Sequence, residues 1–110
     1  AWEEVLALLE EANIRVPVLF HGYNKNIQLA RRITGKGYYI SLGKALQRPG
    51  MQEVLRAVPV NRFFLETDNA ELSIGEIYHL AANALSIDHN SLALQIQQNA
   101  ETVFGNAVLL

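Results

Sequence analysis

His21 and Asp68 are the residues whose types and places in the chain could do chemistry. Each comes at the end of a short run of strand character, residues 16–20 before His21 and residues 62–66 before Asp68. An imidazole nitrogen and a carboxylate oxygen together suit Zn, Mn, Mg or another divalent ion. Two ligands do not complete a site, and a plainer reading stands beside this one: a His packed at a strand end and an Asp capping a turn. Glu66 sharpens the metal reading. Side chains alternate along a strand, so Glu66 and Asp68 share one face, and in a closed barrel that face points inward. A carboxylate there needs a partner.

Further residues sit where they could meet a substrate. Tyr23, two residues after His21, could stack on a base or simply cover the mouth of a barrel. Lys44 and Arg48 follow the second strand and could meet a phosphate, although a solvated loop accounts for them as well. Gly35-Lys36-Gly37 lacks the spacing of a phosphate loop and precedes a strand, so it reads as a helix-to-strand turn. His79 lies in an apolar helical stretch, where a packed or surface histidine is the usual outcome.

These residues need elements to position them. Trp2, Val5, Leu6, Leu9 and Ala12 recur at helical spacing, with Glu3, Glu4, Glu10 and Glu11 on the other face, so residues 2–12 are expected to form an amphipathic helix. Residues 16–20 form a continuously apolar first strand with Pro17 near its start. Asn24 or Asn26 caps a second helix through Ile33, ended by Gly35 or Gly37. Residues 38–42 are the second strand, 51–58 a helix stopped by Pro59, and 62–66 the third strand. Ser73 with Glu76 opens a helix over 73–85, and a last helix spans 91–104 before Gly105. In Tyr38-Tyr39, one ring is expected to face the barrel interior and the other the helices.

Strands separated by helices pair in parallel through right-handed crossovers, which gathers the strand C-terminal ends on one rim. His21, Lys44 and Asp68 all leave strands at that rim, where barrel enzymes build their sites. Three parallel strands alone leave both edges of the sheet unpaired, and a chain that begins in a helix feeding the first strand reads as cut upstream.

Composition narrows the class. With 110 residues, half of them hydrophobic and 18% charged, the chain can bury one core. A net charge of −2 argues against a broad basic nucleic-acid surface, since phosphate neutralisation needs clustered Lys and Arg. There is no Cys, which removes disulfides, thiolate metal sites and a cysteine nucleophile, and leaves a reducing cytoplasm as the default location. No basic-plus-apolar leader and no window of about 18 apolar residues is present, so no membrane partner is expected.

Taken in order, Phe20-His21-Gly22-Tyr23, Gly37-Tyr38-Tyr39-Ile40-Ser41, Phe64-Leu65-Glu66-Thr67-Asp68 and Asn99-Ala100-Glu101-Thr102-Val103-Phe104-Gly105 resemble the C-terminal part of the TatD-type metal-dependent hydrolases. The resemblance implies an α/β fold: part of a TIM-type barrel, strands six to eight with their helices and a C-terminal helix, with residues 1–110 the last part of a single barrel domain. It implies one or two divalent ions (Zn, Mg or Mn), with His21 and Asp68 as metal ligands and Asp68 also catalytic, polarising the attacking water. Glu66, Tyr23 and Lys44 become supporting or substrate-contacting residues. The implied reaction is hydrolysis of DNA or another phosphodiester or ester, including esters such as D-aminoacyl-tRNA. The family's first-strand His-x-His, fourth-strand Glu and fifth-strand His have no counterpart here. The stretches after His21 and Asp68 also depart from the family pattern, which bears on substrate contacts more than on metal binding. The rival expectation is a βα unit without catalysis that serves as a binding or assembly module.

Overall fold

The computed structural model describes residues 2–14, 16–67, 72–103 and 108–110, so Asp68 lies outside the described residues, as do Phe104 and Gly105. The first helix, α1 (Trp2–Ala12), follows its apolar spacing and buries Leu6. Strand β1 (Val18–Phe20) is shorter than residues 16–20, because Val16 is exposed and Pro17 lends the ladder only its carbonyl, which accepts Val108 N–H at 2.8 Å. Helix α2 (Ile27–Gly35) is capped by Asn26, whose side chain accepts the Leu29 N–H at 2.9 Å. It ends in a Schellman turn: Gly37 at φ 86° donates to the Thr34 carbonyl and Tyr38 to the Ile33 carbonyl. Gly35-Lys36-Gly37 is therefore a helix-to-strand turn, as its spacing indicates.

Strand β2 (Tyr39–Leu42) is buried throughout. A 3-10 turn over Lys44–Gln47 leads into α3 (Pro49–Ala57), which starts two residues before the expected Met51 because Pro49 takes a first-turn position, where its missing N–H costs nothing. After a second 3-10 turn, Val60–Arg62, comes β3 (Phe63–Leu65). Helix α4 (Ile74–Leu85) carries the capping box read from Ser73 and Glu76, with Glu76 N–H on Ser73 Oγ at 3.1 Å and Ser73 N–H on Glu76 Oε1 at 3.3 Å. Helix α5 (His89–Val103) begins two residues before Ser91, because the cap is Asp88, which accepts the Ser91 N–H at 2.7 Å and its hydroxyl at 3.1 Å. Those bonds hold the Asp88 carboxyl below the usual carboxylate range.

A short strand follows, β4 (Val108–Leu109), which the sequence does not announce. The sheet order is β3-β2-β1-β4 and every pairing is parallel. The expectation of two open edges is thus corrected at β1. There Leu110 N–H bonds the Leu19 carbonyl at 2.8 Å, and His21 N–H bonds the Leu110 carbonyl at 3.2 Å.

Val18, Phe20, Ile40, Leu42 and Phe63 belong to one core with Leu6, Ile33, Leu55, Ile77 and Leu92 of the helices. The alternate residues Leu19, Ser41 and Phe64 line a cleft on the opposite face. The two tyrosines divide as expected: Tyr38 packs on Phe20 at 6.4 Å, and Tyr39 meets Phe64 at 5.7 Å with the Arg62 guanidinium 5.0 Å from its ring centre. Among the described residues no helix is long and apolar enough to cross a membrane.

Candidate functional site

The loops leaving β1, β2 and β3 meet at the C-terminal rim of the sheet, and Glu66 ties them together. Its carboxylate accepts the Gly22 N–H at 3.0 Å, while its own N–H continues the ladder to the Leu42 carbonyl at 2.9 Å. Glu66 is half-buried rather than enclosed, and its partner is the backbone of the loop after His21. Gly22 adopts φ 65°, a left-handed conformation that suits glycine and swings the chain from β1 across to β2, where Tyr23 N–H bonds the Ser41 carbonyl at 2.8 Å. His21 and Glu66 line one cleft of about 610 Å³ with Ser41, Phe64 and Thr67. His21 is exposed, leaving its ring open to a ligand.

Tyr23 does not offer a stacking platform. It is 0% exposed, its ring lies 5.6 Å from Trp2 in a stacked arrangement, and its hydroxyl donates to the Asn26 carbonyl. Desolvation by burial, with the nearby negative charge of Glu3 adding to it, pushes that hydroxyl well above the usual range for tyrosine. Of its two readings, the burial favours cover over stacking: Tyr23 is a wall that anchors the loop after His21. Lys44 is exposed and, with Asn24, Gln47, Arg48 and Glu66, lines a second cleft of about 340 Å³ between the loops after β1 and β2. Glu66 is thus common to both clefts.

Two glycines carry positional roles that a list of chemically active residues misses. Gly22 supplies the donor that holds Glu66, and Gly43 lets β3 approach β2 closely. A Cβ on Gly43 would stand 2.6 Å from the Glu66 carbonyl oxygen and 3.3 Å from Glu66 Cγ. The available signal was a glycine within two residues of a strand end in both cases. Gly43→Ala is expected to destabilise the chain by about 1–3 kcal/mol, the usual cost of forcing atoms into a packed contact. Urea unfolding checks this, and an unchanged midpoint would show that the β2–β3 rim yields freely.

Among the described residues no group of three or more His, Cys, Asp and Glu could hold a metal ion. Asp68 follows Glu66 by two positions in the sequence and lies outside the described residues. His79 and His89 belong to α4 and the start of α5 and line a cleft that does not include His21, with ring centres 5.7 Å apart.

The TatD related DNase family model matches residues 1–105. The chain is similar to the solved structure of a TatD family hydrolase from Entamoeba histolytica, with a TM-score of 0.82 and 14% identity over 94% of this chain and 48% of that one. It is also similar to YjjV, a TatD homologue from Escherichia coli K12, with a TM-score of 0.85 and 19% identity over 93% of this chain and 46% of that one. At such identities the likeness speaks for the fold, an α/β arrangement matching part of a TatD barrel. The chain spans about half the length of these structures. No curated protein matches it.

Proposed function

Since the chain belongs to the TatD related DNase family, we propose that it forms part of a metal-dependent hydrolase that cleaves phosphodiester bonds, with DNA as the substrate. One arrangement carries the reading: His21 and Glu66 share a cleft at the C-terminal ends of parallel strands, and Asp68 follows Glu66 by two residues. An open imidazole beside a carboxylate strand end is a donor set that a divalent ion accepts. A ring nitrogen of His21 and the carboxylate of Asp68 would hold the ion, which when bound supplies Lewis acidity toward a phosphoryl oxygen. Asp68 would also orient the attacking water and take its proton. Glu66, bonded to Gly22, positions the loop that begins at His21. Lys44 and Arg48, on the neighbouring cleft, would meet the substrate phosphate. The same donor set serves carboxylic ester hydrolysis, including esters of the aminoacyl-tRNA type, so the assay pairs DNA with an ester.

Ligand count sets the expectation for these 110 residues. Catalytic zinc uses three protein ligands and a two-metal site needs more, whereas the chain offers His21, Asp68 and the already engaged Glu66. The missing three-ligand group among the described residues also supports a second reading, a non-catalytic βα module that docks onto other protein. Calorimetric titration with Mn beside a nuclease assay separates them. Residues 1–110 are expected to bind Mn weakly and turn over nothing, and a protein supplying the remaining barrel strands is expected to cleave DNA with Mn. Tight stoichiometric Mn binding with turnover by residues 1–110 would mean the site is complete as it stands. Inactivity of the whole barrel on both DNA and ester would leave the module reading.

A further inference from the structure

We propose that His79 and His89 form a second metal site, in a cleft distinct from that of His21, which takes a borderline divalent ion such as Zn, Ni or Cu(II) and clamps α4 to α5. The two rings have centroids 5.7 Å apart and planes at 50°. An ion about 2.0–2.1 Å from a ring nitrogen lies roughly 3 Å from that ring's centroid, so two imidazoles sharing one tetrahedral ion hold their centroids about 5–6 Å apart. The observed separation falls in that range without moving either helix.

The surroundings suit an ion with an open coordination sphere. Both histidines are exposed, and they line a cleft of about 530 Å³ with Gln47, Leu72, Ser73 and Glu76. Glu76 precedes His79 by three positions on α4, a Glu-x-x-His spacing that sets both on one helical face. Its Oε1 is engaged with the Ser73 N–H, so the ion rests on the two rings and water. His79 is oriented from behind: its Nε2 lies 3.1 Å from Asn83 Nδ2, one helical turn on. In this orientation the amide nitrogen faces the Nε2 lone pair, the roles of the two ring nitrogens depending on the tautomer. Turning that amide over lets Nε2–H donate to the amide oxygen and frees the Nδ1 lone pair, the usual support of a metal-bound histidine. Two imidazoles favour borderline ions over Mg or Ca, which require oxygen ligands.

This site stands independently of the rim reading, and three histidines in the whole chain make the test clean. Zn is titrated into residues 1–110 while the imidazole C–H resonances and the thermal midpoint are followed. The expected result is that the His79 and His89 resonances move together, ahead of His21, and that the midpoint rises. The rise is lost in His79→Gln and in His89→Gln, kept in His21→Gln, and absent with Mg in place of Zn. All three side chains are exposed, so the variants keep their cores. The proposal is overturned if the double variant His79→Gln/His89→Gln retains the Zn-induced rise, or if only the His21 resonances move.

Discussion

Asn99→Leu is expected to destabilise the chain by about 2–4 kcal/mol, more than any other single polar-to-apolar change on α5. Asn99 is only 2% exposed. Its Nδ2 donates to the Phe63 carbonyl at 2.9 Å and to the Val60 carbonyl at 3.0 Å, while its Oδ1 accepts from Gln95 Nε2 at 2.9 Å. Two carbonyls demand the amide nitrogen, so the orientation of the side chain is decided by chemistry. Leucine fills a similar volume but leaves the buried Phe63 carbonyl and the part-buried Val60 carbonyl without a donor at the entrance to β3, and a buried unpaired group costs about 1–3 kcal/mol. Asn99→Asp would do no better, since a carboxylate offers no donor and faces two oxygens. Gln95→Ala removes only the half-buried partner and is expected to cost about 1 kcal/mol or less. The thermal midpoint of Asn99→Leu should fall by roughly 10–20 °C. A fall no larger than that of Gln95→Ala would show that the staple between α5 and β3 contributes little.

Asp68→Ala in a complete barrel is expected to lower kcat/KM on DNA by roughly a thousandfold or more, which corresponds to about 4 kcal/mol of transition-state stabilisation. The proposal gives this carboxylate two tasks, holding the ion and orienting the water, and a group whose contribution grows as charge develops on the phosphoryl oxygens is costly to remove. His21→Ala should behave differently. It removes a ligand and no proton acceptor, so its loss should be partly restored by raising Mn, whereas that of Asp68→Ala should not. Glu66→Gln keeps an oxygen for the Gly22 N–H and should stay nearer to the parent enzyme than either. Steady-state rates across a Mn series distinguish the three. An Asp68→Ala enzyme within about threefold of the parent would end the assignment of Asp68 as ligand and base.

The rim depends on the residues that brace it as much as on those that would react. Glu66, Gly22, Ser41 and Tyr23 form one linked set across the loops after β1 and β3 and strand β2: carboxylate to Gly22 N–H, Tyr23 N–H to the Ser41 carbonyl, and the Tyr23 hydroxyl to the Asn26 carbonyl. That set fixes where the chain leaves β1, and hence where His21 stands. The ion pairs of Glu10 with Arg32 and Lys36, each at 3.8 Å and partly exposed, join α1 to α2 at the surface and add little by comparison.

Local chemistry made much of this architecture readable. Apolar spacing marked α1, the Ser73–Glu76 capping box marked the start of α4, and short apolar and aromatic runs marked three strands whose parallel pairing follows from the helices between them. The alternation of strand side chains was enough to send Tyr38 and Tyr39 to opposite faces. Such signals survive because each depends on residues within a turn or two of one another. What depends on distant partners was decided only in the folded chain. Pairing of Val108 and Leu109 with β1 joins residues about ninety positions apart, and a two-residue strand carries no periodicity to reveal it. Tyr23 is a buried wall rather than a stacking platform because Trp2, far back in the chain, lies against its ring. The need for glycine at position 43 arises only when the Glu66 carbonyl arrives beside it. The facing of His79 and His89 likewise depends on how α4 and α5 pack, since ten residues of sequence separation place neither ring. Residue types and periods set which groups reach the rim, and long-range packing set which of them are free to meet a ligand there.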